Sequence, residues 1–475
     1  MSEHIDTDLL VIGAGSGGLS AAAGAVQMGA RVVLLEGGRM GGDCLNYGCV
    51  PSKALLASGK RAHAMTAGTP FGIGTAEPRV DFAAVKDHVA EVIAGIAPHD
   101  SVERFEALGV RVIPEYGRFI AWDTVDAGAT RITARRIVLA TGSRPFVPPI
   151  PGLDEVPHYT NETIFELRER PEHLLIIGGG PIGMEMAQAH RRLGSDVTVI
   201  EGLKALGKDD PELTTLVLDR LRGEGIAIHE EAKVAGVSRG EGSSLVVRYE
   251  TSGGEAEVTG SHVLVATGRK PNLDRLDLDK AGVKHDRKGI KVNRALLTSN
   301  RKIYAIGDVA GGLQFTHVAG YHAALVVQSI LFRFPGKENR DIIPWATYTD
   351  PELAHVGLDE KEARKCHRTI RVLRWPYAEN DRAQAERKTD GMVKVITDRK
   401  GRILGADIVG AGAGEMINLF ALAVAKKMKV SDIRAYVPPY PTMTEMAKRA
   451  ATSFSAPVTR KPAVRRLIAF LRSFG

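Results

Sequence analysis

Two cysteines five residues apart offer the first chemistry in this chain. Cys44 and Cys49 lie in the stretch GGDCLNYGCVPSK, residues 41–53, and the remaining 475-residue sequence holds only one other cysteine, Cys366. On a regular α-helix, residues five apart have Cα atoms about 8.6 Å apart. A disulfide spans roughly 4.4–6.8 Å. The pair therefore bonds only where the backbone leaves the helical path, and Gly48 beside Cys49 permits that. One reading is a strained, reducible dithiol at a helix N-terminus, where the dipole lowers thiol pKa. The others are two packing cysteines or a metal pair, although a zinc site takes about four ligands. Cys366, between Lys365 and His367, reads as incidental on a surface helix.

The elements that must position such a pair are written in glycine. Residues 9–18 read LLVIGAGSGG and residues 174–183 read LLIIGGGPIG, each an apolar strand entering G-x-G-x-x-G. The glycines are Gly13, Gly15 and Gly18 in one copy, Gly178, Gly180 and Gly183 in the other. A helix follows each, then a second apolar strand that ends in Glu36 or Glu201, 18 residues after the last glycine in both copies. Such glycines let the backbone approach a pyrophosphate at a helix N-terminus, and the acid accepts hydrogen bonds from a ribose hydroxyl. Glycine used only for packing would not reproduce strand, turn, helix, strand and acid in register twice.

The duplication continues. IVLATG at 137–142 and VLVATG at 263–268 each close a copy, the second running into Arg269, Lys270, Pro271 and Asn272. Gly13 to Thr141 covers 128 residues and Gly178 to Thr267 only 89, so the first copy carries an insertion of about forty, and the cysteine pair lies in it. IYAIGDV at 303–309 predicts a short strand ending at Asp308. From Pro344 onward, alternating runs at 392–396 and 403–409 and helical segments after Glu415 predict a separate α+β domain ending near Pro457.

Composition excludes several classes. The length predicts about three domains, and 44% hydrophobic with 25% charged residues and non-periodic glycine excludes disorder and collagen. Three cysteines cannot staple a secreted scaffold. No apolar run reaches the ~18 residues of a membrane span. Glu3 and Asp6 stand where a signal peptide would be basic and then apolar, so a cytoplasmic setting is expected. The net charge is +7, but the stretch from Arg460 to Gly475 holds five basic residues and no acid. The excess sits in a tail and not in a stripe over a folded surface, which argues against nucleic acid.

The cysteine motif, two G-x-G-x-x-G units, two A-T-G turns and Y-A-I-G-D-V, in this order, resemble the class I pyridine nucleotide–disulfide oxidoreductases, over about residues 6–456. That family includes dihydrolipoyl dehydrogenase, glutathione reductase and mercuric reductase. The resemblance implies an α/β fold with two Rossmann-type dinucleotide-binding domains and a C-terminal α+β dimerisation domain. Its boundaries would be 1–153 with 275–341 for a split FAD domain, 154–274 for NAD(P), 342–457 for the interface and 458–475 for the tail. FAD would be held through Gly13, Gly15, Gly18, Glu36, Gly42, Gly117, Thr141, Gly142 and Asp308. NADH or NADPH would use Gly178, Gly180, Gly183, Glu201 and Gly268, with NADH favoured because a carboxylate repels a 2′-phosphate, although Lys204 is near. Lys53 and Glu185 would form an ion pair beside flavin N5, and Thr316 and His317 would begin a helix whose N-terminus favours negative charge on the flavin. The implied relay carries hydride from the nicotinamide to the flavin and two electrons on to a Cys44–Cys49 disulfide. Cys49 would be the flavin-proximal thiol and Cys44 the interchange thiol. No resident metal is implied.

The family's usual His-Pro-Thr-x-x-Glu motif, supplied by the partner subunit of a homodimer, here reads Tyr440-Pro441-Thr442-Met443-Thr444-Glu445. With a reference pKa near ~10, Tyr440 is a poor base at neutral pH and a usable hydrogen-bond donor. A tyrosine there resembles mercuric reductase, whose C-terminal cysteine pair and N-terminal metal-binding module are not seen here. The expected activity is mercuric-reductase-like, with a metal ion or small disulfide as acceptor. Dihydrolipoyl dehydrogenase is the alternative enzyme, and a membrane-associated redox sensor the alternative of another class. In the tail, Val464, Leu467, Ile468, Leu471 and Phe474 recur at helical spacing with Arg465, Arg466 and Arg472 off that face. Such a helix suits the inner face of an anionic membrane, a protein partner or its own dimer.

Overall fold

The computed structural model describes residues 3–334 and 336–474; Met1 and Gly475, the outer limits drawn from sequence, lie outside them. The chain divides into two compact units, Met1–Leu203 with Ile226–Asn339, and Lys204–Gly225 with Arg340–Gly475.

The first unit contains the duplicated sheets. In one, strands Arg111–Ile113, Val32–Leu35, Glu3–Ile12 and Thr130–Leu139 lie side by side and parallel, and Ile303–Ala305 pairs with the last of them. In the other, Ala227–His229, Asp196–Ile200, His173–Ile177 and His262–Val265 repeat that order, again parallel. Residues 9–12, 32–35, 174–177 and 197–200 are buried without interruption. Strands covered on both faces need such unbroken apolar runs, which is why the sequence shows blocks there and no alternation.

Register brings the site together. Ile12 stands opposite both Leu35 and Leu139, so Gly13, Glu36 and Ala140 leave the sheet at one edge. Ile177 stands opposite Ile200 and Val265, which does the same for Gly178, Glu201 and Ala266. These are the carboxyl ends of parallel strands, where open α/β sheets bind ligands.

The second unit is built on a five-stranded antiparallel sheet in the order Trp345–Thr347, Glu352–Gly357, Ile403–Gly410, Met392–Asp398 and Ile370–Pro376. Val393, Val395, Ala406 and Ile408 pack with Ile417 and Phe420 of helix Ala413–Ala425 and with Met446 of helix Glu445–Ser453. Segment Lys204–Gly225, which the sequence reading placed in its 154–274 block, groups with this unit. An electrostatic reason is visible: the buried Lys394 ammonium bonds Asp210 at 2.6 Å and Glu212 at 2.9 Å. An unpaired buried lysine would cost several kcal/mol.

Candidate active site

Helix Gly42–Asn46 ends before helix Cys49–Thr66 begins, and the break falls between the two cysteines. Gly48 takes φ −122°, ψ −113°, away from helical values. A Cβ there would stand 2.9 Å from Asp43 Oδ2 and 3.3 Å from Cα of Cys44. Glycine lets the chain turn back on itself, and the turn brings together two thiols that a straight helix would hold apart.

Both cysteines are free thiols, Cys44 half-buried and Cys49 reaching solvent. Cys49 is the first residue of an 18-residue helix without a side-chain cap, so open N–H groups and the positive dipole end face it. Thr316 Oγ1, at the start of helix Thr316–Phe332, lies 3.5 Å from Cys49 Sγ. Lys53, one turn beyond Cys49, donates to Glu185 Oε2 at 2.8 Å, and Glu185 is buried. The neighbouring Cys44 thiol pushes the Cys49 thiol down to about 6, against burial and helped by Thr316 and Lys53. The same proximity, with burial, drives Cys44 up from the ordinary thiol value. Near neutral pH the pair is one thiolate and one thiol.

The two glycine loops share a division of labour. A Cβ on Gly13 would meet Ala140 O at 2.5 Å and one on Gly18 would meet Gly13 O at 1.8 Å; the matching contacts at Gly178 and Gly183 are 2.5 and 2.1 Å. The outer glycines are thus required by the chain's own packing. The middle ones are not: nothing stands nearer than 4.0 Å to a Cβ on Gly15, and nothing within 4 Å at Gly180. Both middle glycines cap a helix, Ser16–Gln27 or Pro181–Arg192, with no side-chain cap and no acid in its first turn. Unclaimed N–H groups beside open space fit an anionic pyrophosphate.

The strand-end acids are equally matched. Glu36 accepts from the N–H of Ala14 at 2.6 Å and of Gly38 at 2.7 Å. Glu201 accepts from Gly179 at 2.6 Å and Leu203 at 2.8 Å. Each carboxylate ties its strand end to its glycine loop, and the remaining lone pairs can take ribose hydroxyls.

The other residues expected from sequence fall into distinct surroundings. Gly42 packs on Gly15, where a Cβ would come within 2.7 Å of its Cα. Gly117 is a packing position, a Cβ there standing 2.7 Å from Leu35 Cδ1. Thr141 and Asn272 exchange hydrogen bonds at 2.9 Å. Gly142 and Gly268 have φ +64° and +127°. His317 stacks on Phe315. Tyr440 and Glu445 belong to the second unit, where the Tyr440 hydroxyl donates to Asp381 Oδ2 at 2.8 Å and Arg449 donates to Glu445.

One cluster escaped the sequence reading. Arg269 donates to Ser143 Oγ at 2.7 Å and pairs with Asp43 Oδ1 at 2.9 Å, next to Cys44. Ser143 donates to Asp308 Oδ2 at 2.5 Å, and Asn161 donates to Asp43 Oδ1 at 3.0 Å. Burial holds the Asp308 carboxyl above its ordinary value. The cluster joins the exits of both nucleotide sheets to the cysteine turn. Its available signal was Arg269, directly after the second A-T-G.

Twin dinucleotide cradles and a thiol pair leading from one of them define a nucleotide-dependent thiol oxidoreductase. More particularly, the chain belongs to the class I pyridine nucleotide-disulphide oxidoreductase family: that family's model matches residues 7–323 and its dimerisation domain matches 343–451. Mercuric reductase of Bacillus cereus is 35% identical over 461 residues, covering 96% of this chain and 73% of that protein. Dihydrolipoyl dehydrogenase of Bacillus subtilis (strain 168) is 34% identical over 463 residues, covering 94% and 96%. The Cu(II) complex of the HOCl-induced flavoprotein disulfide reductase RclA from Escherichia coli superposes with a TM-score of 0.85 at 28% identity, covering 94% of this chain and 99% of that one. The chain is therefore an FAD-dependent, pyridine-nucleotide-dependent oxidoreductase, and its dimerisation domain makes it a homodimer. The two open cradles fit those two dinucleotides. Among the described residues no helix is long and apolar enough to cross a membrane.

Proposed function

We propose that the enzyme takes electrons from NADH, by way of FAD, to the Cys44–Cys49 pair and delivers them to a soft metal ion, as a mercuric reductase does. FAD, when bound, supplies the two-electron exchange between nicotinamide and thiols. The Gly15 loop and the N-terminus of helix Ser16–Gln27 would hold its pyrophosphate, with Glu36 on a ribose and Asp308 and Gly42 alongside. Lys53, fixed by Glu185, and the N-terminus of helix Thr316–Phe332 place positive potential where negative charge gathers. The Gly180 loop would hold NADH, and the Glu201 carboxylate disfavours a 2′-phosphate. The sequence-drawn domains, 1–153 with 275–341 for FAD and 154–274 for the nicotinamide nucleotide, belong to this reading. A cytoplasmic setting accords with a reducible thiol pair.

The observation that carries the choice of acceptor is Tyr440. Attack on a small disulfide needs Cys44 deprotonated, yet its contacts drive that thiol upward. Asp381 holds the Tyr440 phenol above its own ordinary value as well, so it is a donor and not a base. A soft metal ion needs no such base, because thiolate ligation itself displaces the proton. In the homodimer, Tyr440 and Glu445 would complete the other subunit's site.

The test is run anaerobically on the purified flavoprotein, comparing Hg(II)-dependent NADH oxidation with NAD⁺ reduction by dihydrolipoamide. Metal-dependent oxidation with negligible dithiol turnover is expected. Strong dihydrolipoamide turnover would overturn the reading and make the enzyme a dihydrolipoyl dehydrogenase.

A further inference from the structure

The C-terminal segment lies beyond both family matches, the second of which ends at residue 451. It contains the ten-residue helix Pro462–Leu471 and a final turn, Arg472–Phe474. None of the helix is buried, and Leu467, Phe470, Leu471 and Phe474 are each more than half exposed. An apolar surface kept open to water costs free energy unless something covers it.

Its pattern says what covers it. At about 100° per residue, Val464, Leu467, Ile468, Phe470 and Leu471 occupy an arc of roughly 160°. Arg465 borders this arc on one side and Arg466 on the other, with Arg472 beyond the helix end. Arginines flanking both edges reach outward past an immersed apolar face and keep their charges at its boundary. The stretch from Arg460 to Phe474 carries five positive charges and no negative one. A second copy of the same helix would bring the same charges into apposition and be repelled. An anionic lipid surface is attracted by them and accepts the apolar arc. The helix, about 15 Å long, is half of the ~30 Å hydrocarbon thickness, so it lies along the surface and does not span.

We infer that residues 460–474 form an amphipathic anchor that docks the enzyme reversibly on an anionic bilayer. One such helix binds weakly. The homodimer carries two, and joint engagement raises retention.

The holoenzyme is sedimented with vesicles of phosphatidylglycerol and phosphatidylcholine, and separately with phosphatidylcholine alone. Binding to the anionic vesicles only, released by high salt, is expected. Truncation after Thr459, or Leu467→Asp with Phe470→Asp, removes it while soluble NADH-dependent turnover is unchanged. Arg465→Gln with Arg466→Gln weakens partition by roughly thirtyfold for each helix engaged, about fivefold per arginine. Equal binding to neutral vesicles, or binding that survives truncation, overturns the inference. So does absence of vesicle binding accompanied by a species larger than the dimer that truncation dissolves, which would make the occupant a second copy. Because turnover is read without vesicles, failure of the anchor and failure of the proposed acceptor are separately visible.

Discussion

The two nucleotide cradles share strand order, glycine spacing and a strand-end glutamate, yet their surroundings differ at one point. The Gly15 loop is roofed by the segment that leads to the cysteines. Gly15 and Gly41 form a parallel bridge, and Gly42 packs so closely on Gly15 that a Cβ would come within 2.7 Å of its Cα. Among the described residues no such bridge is made at Gly180. One loop is flanked by the chain that carries the thiols, and the other is not. That is the arrangement a resident flavin and an exchanging nicotinamide require. On the proposed reading, the inserted residues of the first copy would do two things: hold the prosthetic group and carry electrons away from it.

The largest test of this division removes the thiol that joins the two functions. Cys49→Ser is expected to cut steady-state turnover on the order of a thousandfold or more, while NADH still bleaches the flavin in an anaerobic stopped-flow trace. Loss of bleaching as well would mean that the cysteine turn also shapes the open cradle, and the comparison would fail.

Next come the middle glycines, where an added methyl meets little or nothing of the chain itself. Gly15→Ala is expected to lower bound flavin, read from the ratio of absorbance at 450 to that at 280 nm. Gly180→Ala should leave flavin content intact and raise KM for NADH roughly tenfold, the effect of about 1.4 kcal/mol of crowding. A colourless Gly180→Ala protein would show that the two cradles are not independent.

The smallest expected effect sharpens the electrostatic side. In the reduced enzyme, Cys49 alkylation by iodoacetamide should rise with pH around a midpoint of about 6. The sign follows from the reactive species: thiolate accumulates above the midpoint, and Lys53 favours it. Lys53→Met should therefore move the midpoint upward, by less than loss of the Cys44 thiol in Cys44→Ser. A downward move would contradict the role given to the Lys53 cation.

Much of the site was legible in the chain because its signals are local. A strand, three glycines, a helix and an acid occupy fewer than thirty residues, and the last glycine of each loop answers a constraint from the first, five residues before it. The break between Cys44 and Cys49 was legible for the same reason, since helix geometry forbids the contact and Gly48 supplies the exit. The ion pairs of residues 204–225 were not, because Asp210 and Glu212 meet Lys394, far away in sequence. The Arg269 cluster drew on residues 43, 143, 161 and 308, and no spacing rule connects those numbers.

What the sequence by itself determined was therefore the repeated architecture and the chemistry of its landmarks: two dinucleotide loops, two strand-end acids and a cysteine pair that could close. Backbone sterics and hydrophobic periodicity act over a few residues, so they can be read along a line. Which thiol is the anion, which cradle is roofed, and which ions tie the two sheets to the cysteine turn were decided only by the tertiary structure. Those properties depend on distances of 2.5–3.5 Å between groups from remote parts of the chain. Electrostatic energy and hydrogen bonding fall away too steeply with distance for sequence proximity to stand in for them.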